Sequence, residues 1–303
     1  MNLTNKKILV TGGAGFIGSH TVDALVKRGA RVIIIDNLIT GRKGNLNPKA
    51  KFYKLDCASP KLEKVFAKEK PDYVYHFAFN VLVPKSIDDP IMDAQSIIAS
   101  LNVIKNSHQS KVKKFIFSSS SFVYGNEAKR PTDEKQPISP VSPYAISKYT
   151  VEEYLRYYNK TFDLPYVIFR YASVYGPGQI TGAMADYIRK MKAGKQADIW
   201  GDGKKTRDYL FVEDVVRANL KALEVSDDFN NPLFNLGTAT ETTLNDLYFQ
   251  IAKILNKKAK PIYHQARLGE QNLQSLDYSK IQKYLGWKAA INLQEGLRRI
   301  LSP

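Results

Sequence analysis

The sequence predicts an α/β fold: a doubly wound parallel sheet with a smaller mixed α/β part at the C-terminal end. Three observations predict it. Apolar strand-like runs alternate with helix-period segments along the first half of the chain. A glycine-rich turn joins the first strand to the first helix. Beyond residue 173 the alternation gives way to Gly- and Pro-rich loops, so a second, less regular unit follows.

The elements follow in order. "KKILVTGG" is a continuous apolar run, as a strand buried on both faces requires, and "FIGSHTVDALVKRG" is a helix closed by Gly29. "ARVIIIDN" and "KFYKLD" read as the second and third strands, and "KLEKVFAKEK" as a helix. "DYVYHFAF" is a fourth strand, "DAQSIIASLNVIKNSHQS" a helix and "KKFIFSSSS" the next strand. Farther on, "TLNDLYFQIAKILNKK" and "LQEGLRRIL" carry helical periodicity. No internal repeat, low-complexity tract or linker separates the two parts.

Composition narrows the function classes. With 303 residues, 44% hydrophobic and 24% charged, the chain is that of a globular protein. "MNLTNKKILV" runs directly into the first strand, so no leader is expected, and no stretch reaches the roughly 18–20 apolar residues of a membrane span. The single cysteine, Cys57, excludes an internal disulfide, and four scattered histidines give no metal-ligand spacing. A cytoplasmic protein with no metal and no membrane partner is expected. The net charge of +16 comes from lysines spread along the chain without a nucleic-acid module. It reads as a solvated surface that also attracts a phosphate-bearing substrate.

The first chemical motif is "TGGAGFIGSH". Gly12, Gly15 and Gly18 are spaced G-x-x-G-x-x-G between a strand and a helix. Glycines there allow a tight turn and let a diphosphate approach the amides at the helix N-terminus, which is the Rossmann-type dinucleotide fingerprint. Asp36 ends the second strand, where a carboxylate takes ribose hydroxyls and repels a 2′-phosphate. That favours NAD, while Arg42 and Lys43 leave NADP open. The second motif is "SPYAISK", which puts Tyr144 and Lys148 one helical turn apart on the same face. An ammonium about 6 Å from the phenol, at an effective dielectric of roughly 20, is worth about 3 kcal/mol. On that reckoning Lys148 lowers the Tyr144 pKa by about two units. "FSSSSFVYG" adds hydroxyls on the strand just before this helix. His76 reads as a satisfied core histidine and Cys57 as a small buried hydrophobe or an adenine neighbour.

With these motifs in order, and with "DNLITGRKGNL", "HFAFNVLVPKSIDDP", "FRYASVYGPGQ", "GDGKKTRDYLFVEDV", "NLGTATETTLNDL", "RLGEQ" and "LGWKAAINLQEGL", the chain resembles the extended short-chain dehydrogenase/reductase family along its whole length. The nearest likeness is to nucleotide-sugar epimerases of the UDP-glucose 4-epimerase type. The resemblance implies Ser120, Tyr144 and Lys148 as catalytic residues, with Ser118, Ser119 and Ser121 structural; a one-residue slip would substitute Ser119 or Ser121. It implies NAD contacts at Gly12, Gly15, Phe16, Ile17, Gly18, Asp36, Asn37, Thr40, Gly41, Asp56, Cys57, Phe77, Ala78, Phe79, Ser96, Tyr144, Lys148 and Tyr171. It implies UDP-sugar contacts at Ser120, Tyr144, Ser173, Arg207, Arg267 and Glu270. Ser121 and Phe122 stand where relatives that eliminate water carry acids, so C4 epimerisation through a 4-keto sugar is the implied reaction. Alternatives are UDP-GlcNAc or UDP-glucuronate 4-epimerisation, or 4-keto-sugar reduction. Ser96 and Ser173 occupy places where Asn is usual, Asn80 departs from the common pattern, and Gln274 falls near the position that gates N-acetyl groups. Residues 1–173, with a returning segment at 208–236, form the expected NAD domain, and 174–303 mainly the substrate domain. A homodimer through helices near 93–109 and 144–161 is also implied.

Overall fold

A computed structural model describes residues 3–80, 83–126, 128–226, 229, 232–258, 260–266, 272 and 274–301. The first part contains β1 (Lys7–Thr11), α1 (Phe16–Lys27), β2 (Arg31–Asp36), β3 (Lys51–Lys54), α2 (Leu62–Glu69) and β4 (Tyr73–His76). Then come α3 (Val83–Asp88), α4 (Pro90–Gln109), β5 (Lys114–Ser120), α5 (Pro143–Phe162) and β6 (Tyr166–Tyr171). The remainder begins with β7 (Ser173–Tyr175), α6 (Ala183–Lys192), β8 (Asp198–Trp200), β9 (Thr206–Arg207), β10 (Tyr209–Phe211) and α7 (Val212–Lys221). It closes with β11 (Leu233–Leu236), β12 (Thr242–Thr243), α8 (Leu244–Ile254), β13 (Ile262–His264), α9 (Ser279–Leu285) and α10 (Leu293–Leu301).

Seven strands form one parallel sheet in the order β11-β6-β5-β4-β1-β2-β3. Alternate residues feed two cores, as pleating requires. Ile8, Val10, Val32 and Ile34 face the layer that includes α1 and α7, while Leu9, Ile35, Val74, Phe115 and Phe117 face α2, α4 and α5. The chain leaves β1 toward β2 and β3, then crosses back to β4, β5 and β6. The reversal opens a crevice beyond the C-terminal ends of β1 and β4, where doubly wound folds bind ligands.

The segment after residue 211 returns to the sheet: α7 packs on α1, and β11 pairs with β6 as the edge strand. A third core, with Tyr175, Tyr187, Phe211, Leu247, Tyr248, Ile251 and Leu297, sits under α6, α8 and α10. The strands there are short pairs, β7–β10, β9–β12 and β8–β13. Among the described residues no helix is long and apolar enough to cross a membrane.

Candidate active site

Local sequence fixes both sides of the crevice. On the first, Gly12 takes φ +68° and lies so close to the end of β4 that a Cβ would stand 2.7 Å from the Ala78 amide nitrogen. A Cβ on Gly18 would stand 2.1 Å from the Gly12 carbonyl oxygen, and the Gly15 amide closes the turn by donating to that same oxygen at 3.0 Å. Helix α1 starts at Phe16 with no side-chain cap and no acid in its first turn, so its leading amides suit a diphosphate. Asp36 is buried and accepts from the amides of Ala14 (3.0 Å) and Leu38 (2.8 Å), which aims its carboxylate at the same turn. Gly41 packs against it: a Cβ there would stand 2.7 Å from Asp36 Oδ1. These residues fit a dinucleotide with unphosphorylated ribose hydroxyls.

Around that turn the structure gathers most of the expected cofactor contacts. The Asn37 amide donates to Asp56 at 2.7 Å, Thr40 is exposed beside them, and Asn102 of α4 donates to the Cys57 and Ser59 carbonyls. Cys57 is buried, and burial raises its thiol far above the ordinary range. Ile17 packs into the core behind the turn, while Phe77 stacks on Tyr75 and Phe79 meets the ring of Tyr144 edge-on. Ser96 accepts from the Asn80 amide at 3.2 Å, so its hydroxyl pins the loop after β4. Tyr171 differs from expectation. It is 5% exposed, and its hydroxyl donates to Asn219 at 2.7 Å inside the core, which leaves only its main chain to face the crevice.

Helix α5 supplies the other side. Ser142 caps it by accepting from the Ala145 amide, and Pro143 occupies the first turn, so Tyr144 enters at the mouth and Lys148 follows one turn later. Lys148 is 3% exposed; its Nζ donates to the Ser118 carbonyl at 2.6 Å and lies 3.8 Å from the Phe79 ring centre and 5.0 Å from that of Phe117. Ser120 ends β5 with its hydroxyl toward the Tyr144 phenol, whose pKa it lowers, and its oxygen accepts from the Phe122 amide. Phe79 and Phe122 meet the Tyr144 ring edge-on at 5.9 and 6.2 Å. The neighbouring serines are occupied elsewhere. Ser118 donates to the His76 carbonyl, Ser119 donates to Glu152 at 2.5 Å, and Ser121 accepts from Gln274.

Electrostatics correct one expectation. The Lys148 Nζ is 5.8 Å from the Tyr144 ring centre, near the distance that helical spacing implies. Burial nevertheless brings the Lys148 ammonium down to about 7, against the pull of Asp93 and Glu152. Burial pushes the Tyr144 phenol up to about 12, with the Ser120 hydrogen bond lowering it and Asp93 raising it further. A lysine that yields its proton before the phenol does cannot stabilise the phenolate. Without ligands, desolvation outweighs the Coulomb attraction.

His76 proves to be a core residue. Thr11 Oγ1 donates to its Nδ1 at 2.7 Å, and its Nε2 donates to Ser100 at 2.8 Å; Ser100 in turn donates to the Ser96 carbonyl. Burial holds the imidazole neutral, down to about 3.

Sequence reasoning missed the support behind the site. Glu152, one turn beyond Lys148 and fully buried, accepts two bonds from Arg170 at 2.9 and 2.6 Å. Asp93, also fully buried, accepts from Ser147 at 2.6 Å, and Ser86 accepts from the Tyr144 amide. The only signal was a buried-face acid on the Tyr144–Lys148 helix.

On the substrate side Ser173 donates to Gln274 at 2.9 Å, and Arg207 lies 5.7 Å from the Phe122 ring. Gln274 is 2% exposed, held by Ser121 and Ser173, with its amide on Thr206 at 3.1 Å. Arg267 and Glu270 lie outside the described residues.

Comparison with known proteins agrees with this geometry. Residues 8–237 match the NAD dependent epimerase/dehydratase family. The chain is 36% identical to the UDP-glucose 4-epimerase of Mycolicibacterium smegmatis, covering 97% of this chain and 96% of that protein. A crystal structure of UDP-glucose 4-epimerase from Thermotoga maritima with UDP-glucose superposes with a TM-score of 0.94 at 41% identity, covering 97% of each chain. The UDP-glucuronic acid 4-epimerase of Bacillus cereus, in complex with UDP-glucuronic acid and NAD, gives 0.91 at 32% identity, covering 97% of this chain and 98% of that one. A side-chain-free turn, a capped helix carrying Tyr144 and Lys148, and a match across most of the chain converge: this protein is a member of the NAD dependent epimerase/dehydratase family.

Proposed function

We propose that the protein interconverts the C4 epimers of a UDP-hexose, of the UDP-glucose and UDP-galactose type, through a 4-keto intermediate. The observation that carries this reading is the meeting of Ser120, Tyr144 and Lys148 at the crevice, beside a turn that any side chain at Gly18 would close. The α1 amides and Gly12–Gly18 hold the cofactor diphosphate, Asp36 its adenosine ribose and Lys148 the nicotinamide ribose. NAD bound there supplies the hydride acceptor and later donor at C4, together with a positive charge that the ligand-free site lacks.

Tyr144 accepts the proton of the C4 hydroxyl as the hydride leaves C4, and returns it when hydride is delivered to the opposite face. Ser120 donates to the oxygen that becomes the ketone. Arg207, with Arg267 from outside the described residues, binds the UDP diphosphate, so binding strength comes from a part of the substrate remote from the chemistry. Ser121 and Phe122 offer no acid for eliminating water.

Residues 1–173 with 208–236 as the cofactor unit, 174–303 as mainly the sugar-nucleotide unit, and a cytoplasmic location belong to the same proposal. So does a homodimer through α4 and α5, whose Ile91, Ile98, Ile146 and Tyr157 are half or more exposed. Incubation with UDP-glucose and separation of products tests the reaction. UDP-galactose formed without added NAD supports it. Turnover only of UDP-GlcNAc or UDP-glucuronate moves the substrate, and a requirement for added NADH makes the protein a reductase.

A further inference from the structure

Although the lysines are spread along the chain, one face combines a run of cations with few acids. The last turn of α6 and the loop after it carry Arg189, Lys190, Lys192 and Lys195; the end of α8 and its loop carry Lys253, Lys257, Lys258 and Lys260. Both stretches, 187–197 and 247–266, are free of Asp and Glu. The fold sets the two runs side by side. Each leads into one strand of the parallel β8–β13 pair, where Ile262 stands opposite Asp198 and its amide donates to the Ala197 carbonyl at 3.0 Å, and α6 packs on α8. Lys192, Lys195, Lys253, Lys257, Lys258 and Lys260 are exposed, and among the described residues the carboxylates of this face, Asp186 and Asp198, pair with Arg189, Lys190 and His264. The opposite end of the strand pair leads through Gly201 toward Arg207, so the lysines lie away from the substrate end.

Beside them Ile262 and Tyr263 are 41% and 51% exposed. Trp200 and His264 stack on each other at 4.7 Å, and the Tyr263 hydroxyl is tied to Asn245. The patch therefore presents no row of open rings of the kind on which single-stranded bases stack, and all its cations but Arg189, which pairs with Asp186, are ammoniums rather than the planar forks suited to nucleic-acid recognition. Hydrated point charges next to an amphipathic edge suit a diffuse layer of lipid phosphates.

We propose that this face, built by the α6 and α8 C-terminal turns and β13, adsorbs to an anionic lipid surface. Adsorption is by this face and needs no spanning helix, and the proposal does not depend on the epimerase reading. The test is co-sedimentation of the full chain, as purified, with phosphatidylcholine vesicles containing about 30% phosphatidylglycerol, where a lysine near the surface is worth about fivefold in partitioning. Binding is expected to these vesicles and not to pure phosphatidylcholine, and to vanish in about 0.5 M salt. K257Q/K258Q/K260Q is expected to weaken it on the order of 100-fold while turnover is unchanged. K61Q/K64Q/K68Q, an equal loss of charge on α2 and the residue that precedes it, is expected to retain most of it. No vesicle binding, equal loss in the two triple variants, or binding to a single-stranded oligonucleotide in place of vesicles overturns the proposal.

Discussion

Replacing Lys148 by Met should stabilise the ligand-free protein at low pH and destabilise it slightly at high pH. Lys148 is 3% exposed, and burial lowers its ammonium from 10.5 to about 7. Each pKa unit is worth 1.36 kcal/mol, so the folded state bears a penalty on the order of 5 kcal/mol wherever the lysine is charged. Below pH 7 both states hold the proton and the penalty is complete. Between about pH 7 and 10.5 the unfolded chain binds more protons, so stability rises with pH and the penalty is gone above that range. Methionine keeps the stem volume but loses the bond to the Ser118 carbonyl, a cost of about 1 kcal/mol. The variant should therefore exceed the parent by about 3–4 kcal/mol at pH 6 and fall below it by about 1 kcal/mol at pH 10.5. Urea unfolding of both proteins, stripped of NAD, at pH 6, 8 and 10 measures the difference and cancels titrations common to both. A difference that does not change with pH, or a variant weaker at pH 6, would refute the reasoning.

Three further outcomes are expected. Glu152→Gln keeps the shape but leaves the Arg170 guanidinium, 2% exposed, without its counter-charge, and should cost about 3–5 kcal/mol in urea unfolding. Tyr144→Phe should lower kcat by about a thousandfold with melting and retained NAD unchanged; near-normal turnover would remove the phenol from the chemistry. Gly18→Ala forces a Cβ against the Gly12 carbonyl, 2.1 Å away, and should abolish NAD retention, read as loss of dinucleotide absorbance after gel filtration.

What could be read from the chain follows how local the causes are. Strands β1, β2, β4 and β5 stand out because each is an apolar run bounded by Gly, Asp or Ser, and the cofactor turn because its glycines are separated by fixed spacings. Tyr144 and Lys148 needed only helical periodicity. Helices α3, α6, α7 and α9 were not assigned, since they are short or embedded in loops and held by packing on distant segments, as α7 is on α1; β6, a largely apolar six-residue run, carried a signal as clear as β2's but was not read. The Lys148 environment was also invisible: its aromatic cage comes from Phe79 after β4 and Phe117 in β5, brought together only by strand pairing. Helical spacing gives the separation of two side chains but not their solvation, which is why the distance held and the direction of the Tyr144 shift did not.

The way Gln274 is held bears on how this chain could acquire a different sugar preference. Its amide side chain is spanned between Ser121, just beyond β5, and Ser173 of β7, and its backbone is tied to a threonine on a third segment. Swapping it alone for a smaller residue would strand the hydroxyls of Ser121 and Ser173 before any room were gained. On the proposed reading, in which Gln274 borders the sugar, a path to bulkier sugars thus runs through coordinated replacement of three positions, a ratchet against single-step drift.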